Sequence, residues 1–153
     1  MIVVVQRVLE ASVTVGAERV AAIGPGMLAL AGVERGDREE DVDATAKRLA
    51  ELRMFADAGG RMNLDLAAAG GEALLVSQFT LAAETGKGRR PGFSTAAPPD
   101  EARALFDRFV AAFAARHPRT STGRFGAEMR VALVNDGPVT FVLRSGDRAV
   151  GTR

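Results

Sequence analysis

The chain has 153 residues and a mass of 16.0 kDa, the size of one domain that can bury roughly 70% of its unfolded surface without staples. Apolar residues make up 47% and charged residues 25%, and the net charge of +1 is built from 18 Arg and 2 Lys against 19 acids; disorder, collagen and coiled coil are excluded as classes, and a dedicated duplex binder is disfavoured while a local basic loop is not. Cys, Trp and Tyr are absent and His occurs once, which excludes thiol catalysis, thiolate metal sites and multi-imidazole zinc, and leaves His117 as the sole candidate for a Ser-His-Asp relay.

Residues 2–15, rich in Val and loosely alternating, read as a strand, and Gly16-Ala17-Glu18-Arg19 turns it into a second strand over 19–23. Gly24-Pro25-Gly26 is a turn before a buried strand from Met27 to Val33. Asp37 lies three residues before Glu40, the spacing of a capping box, and Val42, Ala46, Leu49 and Leu52 follow at helical spacing; the pattern predicts a helix over 38–55, ended by Asp57 to Gly60. Gly70-Gly71 precede a buried strand from Ala73 to Leu81. Pro98-Pro99-Asp100 open a second helix with Leu105, Phe106, Phe109, Val110 and Phe113 as its stripe, and Pro118 closes it. The tail reads as a strand from 120, another from Met129 to Val134, a break at Asn135-Asp136-Gly137-Pro138, and a last strand from Val139 to Leu143. The expectation is an α/β (α+β) domain over residues 1–153, with two main helices and a mixed, largely antiparallel, barrel-like sheet. No apolar run approaches the ~20 residues of a membrane span. The first residues lack the basic leader and apolar core of a signal peptide, so a cytoplasmic location is expected by default.

Three segments carry polar chemistry. Ser77-Gln78-Phe79-Thr80-Leu81 puts a hydroxyl, an amide and a second hydroxyl at the end of a buried strand. If it is all strand, Ser77 and Phe79 face one side and Gln78 and Thr80 the other. Cross-strand hydroxyl pairing is one reading; a pocket edge with backbone N–H groups able to hold an oxyanion is the other. Asn135 to Thr140 reads as a tight hairpin, or as a rigid Gly-Pro corner with outward carbonyls if the bond is cis. Lys87, Arg89 and Arg90 form either a solvated basic turn or a phosphate contact. His117 reads as a structural residue at a helix C-terminus, and the acids of 37–43 as helix N-terminal charge rather than a metal cluster. No Gly-rich stretch matches a dinucleotide or P-loop fingerprint.

SQFTL at 77–81 and NDGPVT at 135–140, in this order and at this separation, resemble the signature of the D-aminoacyl-tRNA deacylases. The resemblance extends to VVQRV near the N-terminus, LRMF at 52–55 with Asp57, GGEALLVSQFTL, KGRRPGF at 87–93 and GRFGAEM at 123–129. It implies a homodimer with each active site at the subunit interface. Ser77, Gln78, Phe79 and Thr80 of one subunit would line the pocket, with Gln78, Phe79 and Thr80 as the catalytic set. Gly137-Pro138, as a cis corner, would arrive from the partner, and Arg7 would fix that corner's orientation.

The implied reaction is hydrolysis of the ester in D-aminoacyl-tRNA, at the 3′-terminal adenosine. The neighbouring ribose hydroxyl would assist, a backbone N–H near Phe79 or Thr80 would hold the oxyanion, and no metal or cofactor would be needed. The main-chain carbonyls of Gly137 and Pro138 would exclude an L side chain. Glycine would pass, so glycyl-tRNA mischarged on tRNA(Ala) is an expected second substrate. Lys87, Arg89 and Arg90 are expected to contact tRNA. Two other classes compete: a non-catalytic module that binds the tRNA acceptor end, and a small-ester hydrolase unrelated to RNA. Intact Gln78 and Thr80 argue against the first; the basic loop and the lack of a nucleophile-base pair argue against the second.

Overall fold

The structure is a computed structural model that describes residues 1–146; residues 147–153 of the expected domain lie outside the described ones. Its spine is the Val-rich strand β1 (Ile2–Val15), which is paired along both edges. On one edge it meets β8 (Arg130–Arg144) from Ile2↔Arg144 to Thr14↔Arg130. The other edge is divided: β3 (Gly26–Gly32) pairs with the first half and β2 (Glu18–Ile23) with the second, all antiparallel. β6 (Glu72–Ser77) and β7 (Thr120–Thr122) extend the sheet in parallel from β3.

Parallel neighbours need long crossovers. These are supplied by α1 (Glu39–Ala50) between β3 and β6, and by α3 (Pro99–Ala114) between β6 and β7. The sheet order is β2-β1-β3-β6-β7 with β8 beyond β1. The far edge curls back until Arg124, just past β7, reaches Glu18 of β2 at 3.2 Å. The expected mixed, largely antiparallel, barrel-like class is what is found.

Strand alternation divides the core in two. Met27, Ala29 and Ala31 of β3 and Ala73 and Leu75 of β6 pack under the helices against Val42, Ala46, Leu49, Phe106, Phe109 and Phe113. Leu28, Leu74 and Val76 point the other way, into the curl of the sheet. β1 contributes to both: Val3 and Val5 lie under the helices, whereas Val8, Ala11 and Val13 fill the curl. Val8 takes the opposite face by alternation, and the slip in the ladder with β8 between Val8 and Glu10, two β1 residues against one, keeps Ala11 and Val13 on that face. On the outside, Arg108 of α3 clasps Asp43 of α1 at 2.7 and 2.9 Å and Glu39 at 2.6 Å. Hydrogen bonding to Arg108 holds the Asp43 carboxyl below the usual carboxylate range.

Four readings of the sequence need correction. The first helix ends at Ala50 rather than 55, because buried Met54 and Phe55 enter the core in extended chain and Phe55 pairs with Leu64. Residues 55–64 form a small hairpin of β4 (Phe55–Ala56) and β5 (Met62–Leu64), and Asp57 Oδ1 organises its turn by accepting from the N–H of Gly59 and Arg61. Asp37 does not cap α1: the cap position is Arg38, whose N–H is met by Asp41, while Asp37 binds the N-terminal ammonium and the Glu34 N–H. β8 runs as one strand through 135–138 rather than as two, although its pairing with β1 is interrupted there and skips from Asn135 to Thr140. Finally, the strand at 73–81 stops at Ser77, and Phe79–Ala82 is a 3-10 turn. A short helix, α2 (Leu66–Ala69), capped by Asp65 and ended by left-handed Gly70, precedes β6. No helix among the described residues is long and apolar enough to cross a membrane.

Candidate active site

The last ladder bond of β6 runs from the Gln78 N–H to the Ala31 carbonyl at 2.8 Å. The chain then winds into the 3-10 turn because β3 offers no side chain there. A Cβ on Gly32 would lie 2.8 Å from the Gln78 carbonyl oxygen and 3.0 Å from Leu81 Cβ, so the close approach requires glycine. Inside the turn the N–H of Leu81 bonds to Gln78 O and that of Ala83 to Thr80 O. The N–H groups of Phe79 and Thr80 open the turn and have no acceptor among the described residues, as first-turn donors do. The Gln78 side-chain amide donates to Thr80 Oγ1. The alternation expected for Ser77 to Thr80 therefore does not apply: Ser77 and Gln78 are half-buried, and Phe79 and Thr80 are exposed in succession.

Beside this turn lies a cleft of about 430 Å³. Ser77, Gln78 and Phe79 form one wall; Pro99, Ala102 and Phe106 of α3 and Phe125, Ala127, Met129 and Val131 form the others. No residue of the lining is titratable. Phe125 is braced by Phe106, with ring centres 6.0 Å apart, and by the Arg103 guanidinium 5.3 Å above its face. Phe125, Ala127 and Met129 line the cleft but were not among the expected site residues. They sit in the GRFGAEM stretch, to which the sequence attached no role.

The second element is the corner in β8. Gly137-Pro138 is a cis bond, Gly137 has φ +140°, and both residues are exposed. Across the corner the ladder with β1 skips from Asn135 to Thr140, and side chains take over from the backbone there. Asn135 Oδ1 accepts from the Val139 N–H at 2.7 Å, and Asn135 Nδ2 donates to Gln6 Oε1 at 3.0 Å and Thr140 Oγ1 at 3.1 Å. Arg7 reaches across from β1: Nε donates to the Asp136 carbonyl at 3.0 Å and Nη1 to the Met54 carbonyl at 3.0 Å. Gln6 and the Met54 carbonyl were not foreseen as parts of this support. Among the described residues, no hydrogen bond or ion pair joins Gly137 or Pro138 to Ser77, Gln78, Phe79 or Thr80.

The remaining candidates separate cleanly. Lys87, Arg89 and Arg90 are exposed and form no ion pair among the described residues. Their loop is closed by two bonds between Glu84 and Gly92, at 2.8 and 2.9 Å. Phe93 then packs on Phe79 with ring centres 5.2 Å apart. His117 is buried, and its Nε2 is 3.0 Å from the Gly71 carbonyl, well inside the fold. The acids of 37–43 are engaged with the N-terminal ammonium, Arg38 and Arg108. No group of three or more potential metal ligands occurs among the described residues.

The family model described as D-Tyr-tRNA(Tyr) deacylase matches residues 4–144. A protein of Azotobacter vinelandii named D-aminoacyl-tRNA deacylase is 58% identical over 141 residues, 92% of this chain and 97% of the relative. One of the same name from Teredinibacter turnerae is 55% identical over 145 residues, covering 95% of this chain and all of the relative. Among solved structures, one described as c-Myc DNA Unwinding Element Binding Protein superposes with a TM-score of 0.90 at 38% identity, over 95% of this chain and 99% of that one. Another, described as a probable eukaryotic D-amino acid tRNA deacylase, has a TM-score of 0.79 at 18% identity over 93% of this chain and 97% of that one, a likeness of fold.

Proposed function

This chain belongs to the D-Tyr-tRNA(Tyr) deacylase family, and from that premise we infer that it hydrolyses the ester of D-aminoacyl-tRNA, releasing tRNA and the D-amino acid. The observation that carries the mechanism is the cleft: an apolar, untitratable space with Phe79 on its wall, at the start of a 3-10 turn whose Phe79 and Thr80 N–H groups have no acceptor among the described residues. Its volume of about 430 Å³ and its phenylalanine walls suit a nucleoside with a flat base. The terminal adenosine enters here, with its ester beside Phe79 and Thr80.

Nothing in the lining can take a proton from water, so activation falls to the substrate, whose ribose carries a hydroxyl next to the ester. Water adds to the carbonyl carbon, the bond to the ribose oxygen breaks, and that oxygen leaves with a proton. The Phe79 and Thr80 N–H groups stabilise the charge that develops on the carbonyl oxygen, and Gln78 holds the Thr80 hydroxyl in place.

The Gly137-Pro138 corner completes the site from a second copy of the chain. Two features support this. The corner is exposed and makes no link to Ser77–Thr80 in its own chain. It lies on β8, which among the described residues pairs only with β1 and whose Val134, Phe141 and Val142 are 45%, 37% and 55% exposed; an edge unpaired among these residues, with apolar side chains, is a natural interface. The carbonyls of Gly137 and Pro138 stand where an L side chain would project. Glycine projects nothing, so glycyl-tRNA mischarged on tRNA(Ala) is a second substrate. Lys87, Arg89 and Arg90 hold tRNA phosphates, and the protein works in the cytoplasm with its substrate.

The direct test is the pure protein with D- and L-tyrosyl-tRNA in the presence of a chelator. Release of D-tyrosine alone, undiminished by chelation, is expected. Equal release from both substrates would remove the chiral reading, and loss on chelation restored by one metal would remove the mechanism.

A further inference from the structure

Phe79 and Phe93 are large apolar side chains left 58% and 43% exposed, in contact with each other at 5.2 Å between ring centres and tilted by 55°. Phe79 lines the cleft, and Phe93 does not. The pair therefore continues the aromatic surface outward over the rim. It continues toward the basic loop, because Phe93 directly follows Gly92, whose two bonds to Glu84 close the turn bearing Lys87, Arg89 and Arg90. Two side-chain bonds fasten this unit down: Ser94 Oγ to Glu84 Oε2 at 2.9 Å, and Thr95 Oγ1 to the Ala82 carbonyl at the end of the 3-10 turn.

Exposed rings next to unpaired cations are the two components of single-strand nucleic-acid recognition: stacking faces for bases and charge for phosphates. We propose that Phe93, with the outer face of Phe79, seats the unpaired base that precedes the terminal nucleoside of the acceptor end. The inference rests on the deacylase reading and adds a second nucleotide subsite to it. Once the terminal nucleoside fills the cleft, the strand must leave past Phe79, and the cations of the loop draw its phosphates over Phe93. Stacking is indifferent to base identity, so the seat serves every tRNA with the same unpaired end.

The test compares two substrates that differ by this nucleotide. D-tyrosyl-adenosine carries only the terminal nucleoside; D-tyrosyl-tRNA carries the preceding base as well. Phe93→Leu keeps an apolar side chain against Phe79 but removes the stacking ring, and Phe93→Tyr keeps the ring. Phe93→Leu is expected to lower kcat/KM on D-tyrosyl-tRNA by about ten-fold or more, through KM. It should leave D-tyrosyl-adenosine within about two-fold, and Phe93→Tyr should match the wild type on both. Equal losses on both substrates would overturn the proposal by showing that Phe93 only braces Phe79. Unchanged kinetics on both would overturn it too, as would a change in oligomeric state of Phe93→Leu in light scattering, which would give the pair to a second copy of the chain. Wild-type protein inactive on both substrates would instead sink the deacylase reading, and the seat with it.

Discussion

Arg7 Nε donates to the backbone carbonyl of Asp136 at 3.0 Å and stands 3.3 Å from the carboxylate of the same residue. The guanidinium is thus tied to the residue before Gly137, while Nη1 is tied to Met54 O at 3.0 Å. A planar fork can span both partners, whereas an ammonium on a flexible stem cannot. Arg7→Lys should keep the fold but let the corner drift, lowering kcat/KM on D-tyrosyl-tRNA by about ten- to a hundred-fold. Kinetics beside a thermal melt would check it. A variant with wild-type turnover would show that Arg7 serves only packing.

Thr80→Ala should retain measurable deacylation, because the partner of the Thr80 hydroxyl is the Gln78 amide, which is no base, and no titratable residue lines the neighbouring cleft to make it a nucleophile. Rapid quench followed by intact-protein mass spectrometry would reveal any acyl-enzyme. None is expected, and an adduct on Thr80 or Ser77 would contradict substrate-assisted chemistry.

Lys87, Arg89 and Arg90 extend from a loop and pair with no acid among the described residues, so their charge is free for phosphate. Each Ala replacement should raise KM and reduce the slope of log kcat/KM against log salt by about 0.7–0.9 for every contact removed. Turnover at saturation should hardly change. A collapse of turnover with KM unmoved would place the loop in the chemistry or the fold.

His117 is the one residue that could serve an imidazole mechanism, and it lies buried against the Gly71 carbonyl. His117→Ala should cost about 1–3 kcal/mol of stability, chiefly by stranding that carbonyl. Below the melting temperature kcat should be preserved. Loss of kcat without loss of stability would reverse the assignment.

Much of this was legible from residue patterns, and the exceptions have physical causes. β1 to β3 and the stripe of α3 announced themselves by periodicity. Residues 78–81 read as strand because apolar composition cannot report where a ladder ends. The end is set by Gly32 on another strand, which admits the turn. The break expected at 135–138 interrupts the pairing with β1 but does not split β8 in two; Asn135 satisfies Val139 with its side chain, a device invisible to turn rules. Asp37 has the composition of a helix cap, but the N-terminal ammonium claimed it. The cleft was the least legible part: Phe125 and Phe106 meet across 19 positions of sequence that no local pattern connects.

The central claim is that one site needs the Ser77–Thr80 turn of one chain and the Gly137-Pro138 corner of another. Gly137→Ala should disable the corner, because at φ +140° an added Cβ would lie 2.7 Å from Val139 Cγ2 and 2.9 Å from its backbone nitrogen. Phe79→Pro should disable the turn, since it deletes the N–H while proline is tolerated at the first position of a helical turn. Each variant alone should be nearly inactive while remaining folded. Mixed in equal amounts, unfolded together and refolded, they should recover about a quarter of wild-type deacylation of D-tyrosyl-tRNA, because half the dimers are mixed and each holds one intact site. No recovery from a mixture shown to contain mixed dimers would contradict the claim, and so would a fully active monomer.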